Sequence, residues 1–226
     1  MKNRLPNILT VARLFAAPLI AIVFLLLARP WADWLALFLF VAAALTDFLD
    51  GYLARRWKQE SKLGAMLDPI ADKAMVVIAL TVIIGTTSLS REAMDPWIVL
   101  PAALILFREV FVSGLREFLG DTAGTLKVTK LAKWKTTTQM VAIGVLFLRG
   151  IFEHQALALS YGLGPEMTRA VMLGLEPDER GLRTFVNMMN ASWWAGVALL
   201  WLAALLTLFT GWDYFKKSKP YLEGGK

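Results

Sequence analysis

The chain has 226 residues, 57% of them hydrophobic and only 19% charged, with nine Trp, 13 Phe and a net charge of +6. An ordinary soluble domain is about 45–50% apolar and about 25% charged, so this composition leans toward lipid and excludes intrinsic disorder. With no Cys, disulfides, thiolate metal sites and Cys nucleophiles are excluded. The single histidine, His154, rules out multi-His zinc sites and paired-His phosphodiesterase chemistry. Any metal must be held mainly by oxygen, which suits Mg²⁺, Mn²⁺ or Ca²⁺.

About 20 apolar residues cross a bilayer as a helix. In chain order, six segments approach that length: Leu5–Ala28, Trp31–Leu53, Pro69–Thr86, Pro96–Leu115, Lys135–Phe152 and Ala191–Phe215. The expected fold is therefore an all-α, polytopic membrane bundle of six transmembrane helices in a single domain over residues 1–226. A soluble core of long buried helices is the alternative, and six such runs are too many for it. The first segment has a basic start, but Arg13 interrupts it and no small-x-small site follows, so it reads as an uncleaved helix.

Alternating the segments from an inside N-terminus places fifteen Lys and Arg residues on one side, among them Arg55, Arg56, Lys58, Lys62, Arg116, Lys127, Lys133, Lys216 and Lys217. Six basic residues fall on the other. The positive-inside rule then sets both termini in the cytoplasm, and the net charge reads as orientation and attraction to anionic lipid rather than nucleic-acid binding. Residues 150–190 form the long extracytoplasmic connection, with a short interfacial helix expected near Pro165–Leu175. Trp31, Trp34, Trp97, Trp193, Trp194 and Trp212 read as interfacial belts.

Four carboxylates stand out. Asp47 and Asp50 end the second segment on the inner side; Asp68 and Asp72 begin the third on that same side. Spacings of three and four residues put each pair on one helical face. Like charges beside hydrocarbon repel, and either protonation or bound cations relieves them. Two divalent ions suit four such acids. A capping reading competes: Asp68 as N-cap with Pro69 at the first helical position. It accounts for one pair and leaves Asp47 and Asp50 at an unfavourable helix C-terminus.

The full spacing is Asp47-x2-Asp50-Gly51-x2-Ala54-Arg55-x8-Gly64-x3-Asp68-x3-Asp72. It resembles the signature of the CDP-alcohol phosphatidyltransferase family at every fixed position. The resemblance implies transfer of a phosphatidyl group from CDP-diacylglycerol to an alcohol, with release of CMP. It implies two divalent cations, Mg²⁺ or Mn²⁺, on Asp47, Asp50, Asp68 and Asp72. Asp72 is a ligand, the catalytic base, or both, and Gly51, Ala54 and Arg55 match the cytidine-diphosphate contact region. A homodimer and a bacterial inner-membrane location also follow from it.

Three further stretches resemble the bacterial branch whose acceptor is glycerol 3-phosphate. They are Asn7-x2-Thr10-x2-Arg13-x4-Pro18, Arg108-Glu109-x3-Ser113-Gly114-x-Arg116-Glu117, and Lys133-Trp134-Lys135-Thr136-x2-Gln139, with Ala132 where that branch usually has Gly. Asn7, Thr10 and Arg13 share a helical face; they either line the CDP-lipid site or pack helices. Arg108, Arg116 and Lys135 are candidate cations for the acceptor phosphate, and Arg108 equally suits an ion pair with Glu109. Rival readings keep the chemistry and change the acceptor to inositol phosphate, serine or phosphatidylglycerol, or replace the enzyme by an ion-coupled transporter. A transporter would place its acids near mid-membrane.

Overall fold

The computed structural model describes residues 5–57, 61–91, 93–120 and 130–222, with side chains described throughout except at 5–6, 48–57, 88–91, 130 and 132–133. Among the described residues the chain is all-helical: α1 Leu5–Leu26, α2 Trp31–Trp57, α3 Lys62–Arg91, α4 Pro96–Leu119, α5 Lys130–Ser160, α6 Pro165–Leu173 and α7 Leu182–Leu222. Four of these are long and apolar enough to cross a membrane, over Asn7–Leu26, Pro96–Leu119, Trp134–Ser160 and Leu182–Leu222. Their outward faces carry bare apolar side chains, among them Phe15, Leu25, Phe107, Val110, Leu205 and Phe209. So much exposed hydrocarbon suits lipid, not water.

Each apolar segment read from the sequence is a helix, but the ends differ. α3 begins at Lys62, not near Asp68, and runs through Pro69. Ser61 starts it: the Gly64 backbone N–H donates to Ser61 Oγ at 2.9 Å, satisfying one of the first-turn donors. Asp68 is therefore inside the helix, and the capping reading of the Asp68-Pro69 pair does not hold. The 150–190 stretch, expected as a connection, contains the end of α5, all of α6 and the start of α7. Arg180 donates to the carbonyls of Leu159 and Tyr161, and Arg183 to that of Val171. Asp178 accepts from the backbone N–H groups of Leu182 and Arg183 at 2.8 Å each, capping α7.

The chain divides into two compact units, Met1–Ile83 with Gly144–Gly196, and Ile84–Ile143 with Val197–Lys226. In the first, small residues let helices approach: Ala32, Ala36 and Ala43 of α2 and Ala17 of α1 are buried, with the larger Phe40 and Ile20 buried among them. Phe147 of α5 meets Phe24 and Phe40, with ring centroids 6.4 and 5.9 Å away. Gly196 lies so close to Leu146 that an added Cβ would fall 2.6 Å from its Cδ2. A charged cluster also sits here. Asp33, 2% exposed, takes two hydrogen bonds from Arg29, at 2.7 and 2.8 Å, and Glu153 takes one from Arg149 at 2.8 Å. Arg149 also lies 4.8 Å from the ring centre of Trp193. Trp193 is thus a buried packing residue, 7% exposed, whereas the other five belt candidates are exposed as expected.

In the second unit, α4 and α7 run parallel, side by side. Trp97 meets Trp201, Arg108 meets Thr210, and Phe111 meets Phe215. Ile98, Ala102 and Ile105 on α4, with Leu200, Ala203 and Ala204 on α7, are buried.

Candidate active site

The carboxylates lie on α2 and α3 of the first unit, and α1 supplies their partner. Arg13 sits one turn beyond Thr10 and two beyond Asn7, so the three share a face. That face turns toward α2 and α3. The Arg13 guanidinium forms ion pairs with Asp47 and with Asp72, the latter at 2.6 Å, and its other terminal nitrogen is 3.5 Å from Asp68. Thr10 Oγ1 donates to Asp68 Oδ1 at 2.9 Å. Ser61 Oγ donates to Asn7 Oδ1 at 2.6 Å. Gly64 makes this last contact possible, since an added Cβ there would lie 3.0 Å from Asn7 Oδ1.

Three of the four motif aspartates therefore converge on one guanidinium, across two helices and 25 residues of sequence. The arrangement is asymmetric in exposure. The Arg13 side chain is 2% exposed, while those of Asp47, Asp68 and Asp72 are 47, 46 and 50% exposed. Arg13 closes the floor and the carboxylates keep open oxygen atoms above it. One positive charge does not balance three negative ones. The donor set is oxygen only, which fits a hard divalent cation. Among the described residues no three acidic, His or Cys side chains form a metal cage on their own; Arg13 is what ties these carboxylates together. The side chains of Asp50, Gly51, Ala54 and Arg55 lie outside the described residues, although α2 runs through all four positions.

The candidate acceptor residues belong to the second unit. Arg108 Nη1 is 3.1 Å from Glu109 Oε1, and Lys135 Nζ pairs with the same oxygen. Arg108 Nη2 also reaches Thr210 Oγ1 at 3.4 Å. Arg116, in the last turn of α4, is exposed. The reading of Arg108 as an ion-pair partner of Glu109 is thus the arrangement found, with Lys135 as a third member that the sequence did not signal. Also unsignalled was the role of Arg13 as the common partner of the aspartates. An arginine three residues beyond Thr10 on the same face as Asn7 was the available hint.

The chain matches the family model described as CDP-alcohol phosphatidyltransferase over residues 3–166. It is 59% identical over 227 residues to the CDP-diacylglycerol–glycerol-3-phosphate 3-phosphatidyltransferase of Cereibacter sphaeroides, covering 100% of both chains. It is 36% identical over 219 residues to the protein of that name from Rickettsia bellii, covering 97% of each. Against the one from Haemophilus influenzae it is 39% identical over 165 residues, 71% of this chain and 85% of the relative. With the aspartate spacing, the helical architecture and the match all in agreement, the chain belongs to the CDP-alcohol phosphatidyltransferase family.

Proposed function

We propose that the protein transfers the phosphatidyl group of CDP-diacylglycerol to glycerol 3-phosphate, giving phosphatidylglycerophosphate and CMP. The observation that carries the chemistry is the convergence of Asp47, Asp68 and Asp72, half open to solvent, on buried Arg13. The names of the full-length relatives support the choice of donor and acceptor.

In the reaction an acceptor hydroxyl oxygen attacks the phosphorus that carries diacylglycerol, and the bond from that phosphorus to the CMP oxygen breaks. Asp47, Asp50, Asp68 and Asp72 would hold two Mg²⁺ or Mn²⁺ ions, which when bound would supply charge to neutralise the diphosphate and polarise the phosphorus. Asp72 takes the proton of the attacking hydroxyl, which is otherwise a poor nucleophile at neutral pH. Arg13 fixes Asp72 and Asp47 in orientation, and Thr10 does so for Asp68, so positioning costs little at the moment of reaction. Asn7 with Gly51, Ala54 and Arg55 would receive the cytidine diphosphate, Gly51 by letting backbone approach. Arg108, Arg116 and Lys135 would attract the acceptor phosphate, a dianion suited to guanidinium and ammonium donors.

The reading extends to six membrane spans, α2 and α3 joining the four apolar helices. At 1.5 Å per residue α2 and α3 are each at least about 40 Å long, enough for a hydrocarbon core of about 30 Å. The aspartates then lie at the cytoplasmic boundary of a bacterial inner membrane, with both termini inside and the chain a homodimer. A boundary site keeps acyl tails in lipid while the acceptor arrives from water. The test is CMP release by the purified full chain in detergent, with CDP-diacylglycerol and a panel of acceptors. Glycerol 3-phosphate should support release and inositol phosphate, serine and phosphatidylglycerol should not. Equal release with another acceptor would move the assignment, and none with any acceptor would remove it.

A further inference from the structure

Glu109 is used by nothing above, yet it pairs with two cations of the second unit. Its Oε1 takes both Arg108 Nη1, at 3.1 Å, and Lys135 Nζ. One carboxylate oxygen therefore spans two cations on two helices, α4 and α5. The three side chains are sheltered, 15, 14 and 9% exposed for Glu109, Arg108 and Lys135, so their charges are weakly screened. Arg108 is held from other directions as well. Thr210 Oγ1 lies 3.4 Å from Nη2. Gly211 leaves a notch for the Arg108 stem, since a Cβ there would come within 2.9 Å of Arg108 Cγ. Two unpaired cations this close would repel and separate; a shared carboxylate sets their spacing.

We propose that Glu109 is a positioning residue for the acceptor: by bridging Arg108 and Lys135 it fixes them as a two-cation cradle for a phosphomonoester dianion. This rests on the reading of Arg108 and Lys135 as acceptor-phosphate residues. A merely structural role would be charge neutralisation, which any acid at this position supplies. Bridging demands reach as well as charge. Asp is one methylene shorter than Glu, so it neutralises without spanning both partners, and Gln keeps the length while losing the charge.

The experiment is steady-state CMP release by the purified full chain, varying each substrate separately, for wild type, Glu109→Asp and Glu109→Gln. Thermal unfolding in the same detergent reports folding. Both variants should raise the KM for glycerol 3-phosphate about tenfold while the KM for CDP-diacylglycerol stays within about twofold. Glu109→Asp should unfold near the wild-type temperature, so it decides the matter even if Glu109→Gln does not fold. A wild-type acceptor KM in Glu109→Asp, or a parallel rise in both KM values, would overturn the proposal and leave the proposed function standing. Absence of CMP release from wild type would instead remove the function itself and this role with it.

Discussion

Arg13 brings the one charge among the described residues of α1 into a largely apolar helix, and three carboxylates answer it. A planar guanidinium offers five donors in a rigid fork that fixes the direction of each partner, whereas an ammonium is a compact charge with three freely rotating donors. Arg13→Lys should therefore keep the protein folded and lower kcat/KM by about tenfold or more, measured as CMP release; an unchanged value would show that charge alone suffices. Asp72 faces a sharper test. Asp72→Asn preserves shape and removes the base, so turnover should fall by about 10²–10⁴-fold with unfolding temperature unchanged. Near-normal turnover would reject Asp72 as the base. At this scale the sequence was informative about which residues matter and less so about what they touch. Spacing alone aligned Asn7, Thr10 and Arg13 on one face and paired the aspartates. It did not reveal that the two sets meet, because contacts between helices are set by packing and not by periodicity. Lys135 meeting Glu109 across 26 residues is the same kind of contact.

The elements show where hydropathy misleads. A window of apolar residues began α3 at Pro69, because Lys62, Gly64 and Asp68 look like the end of a loop. The Ser61 cap extends the helix back to Lys62, and this extension is what carries Gly64 up against Asn7. Ser61→Ala should cost about 1 kcal/mol of stability through the lost cap. Since Ser61 also holds Asn7, its effect on CDP-diacylglycerol KM should exceed that on acceptor KM. The long helix α5 illustrates a second limit. Its Gly150 lies against the Arg29–Asp33 pair, and an added Cβ would fall 2.5 Å from Asp33 Oδ1 and 2.7 Å from Arg29 Nη2. Hydrogen bonding to Asp33 and its charge hold Arg29 above its ordinary guanidinium value despite burial, and the two hydrogen bonds at 2.7 and 2.8 Å fix the geometry of the pair. Gly150→Val should lower stability by about 1–3 kcal/mol through overpacking, read as a drop in detergent unfolding temperature; an unchanged temperature would show that the pair yields freely. Arg29 and Arg149 had counted only as bases on the outer side, because a sum of charges does not disclose which arginines have buried partners.

For the whole molecule, composition and six apolar runs were enough to read an all-helical membrane protein, and each run is a helix here. Orientation rests on the lysine and arginine asymmetry. The absence of Cys allows single-cysteine labelling on an otherwise native chain. Glu179→Cys should react with a membrane-impermeant maleimide on intact cells, and Lys219→Cys only after permeabilisation; the reverse pattern would invert the topology and move the aspartates to the outer face.

The central claim is that the Arg13-gathered aspartates drive metal-dependent phosphatidyl transfer to glycerol 3-phosphate. It is tested most directly by following CMP and lipid product together, with purified wild-type protein, CDP-diacylglycerol and glycerol 3-phosphate. The account predicts equimolar CMP and phosphatidylglycerophosphate, abolished by a chelator and restored by Mg²⁺ or Mn²⁺. Undiminished product formation under chelation, or CMP release without phosphatidylglycerophosphate, would contradict it.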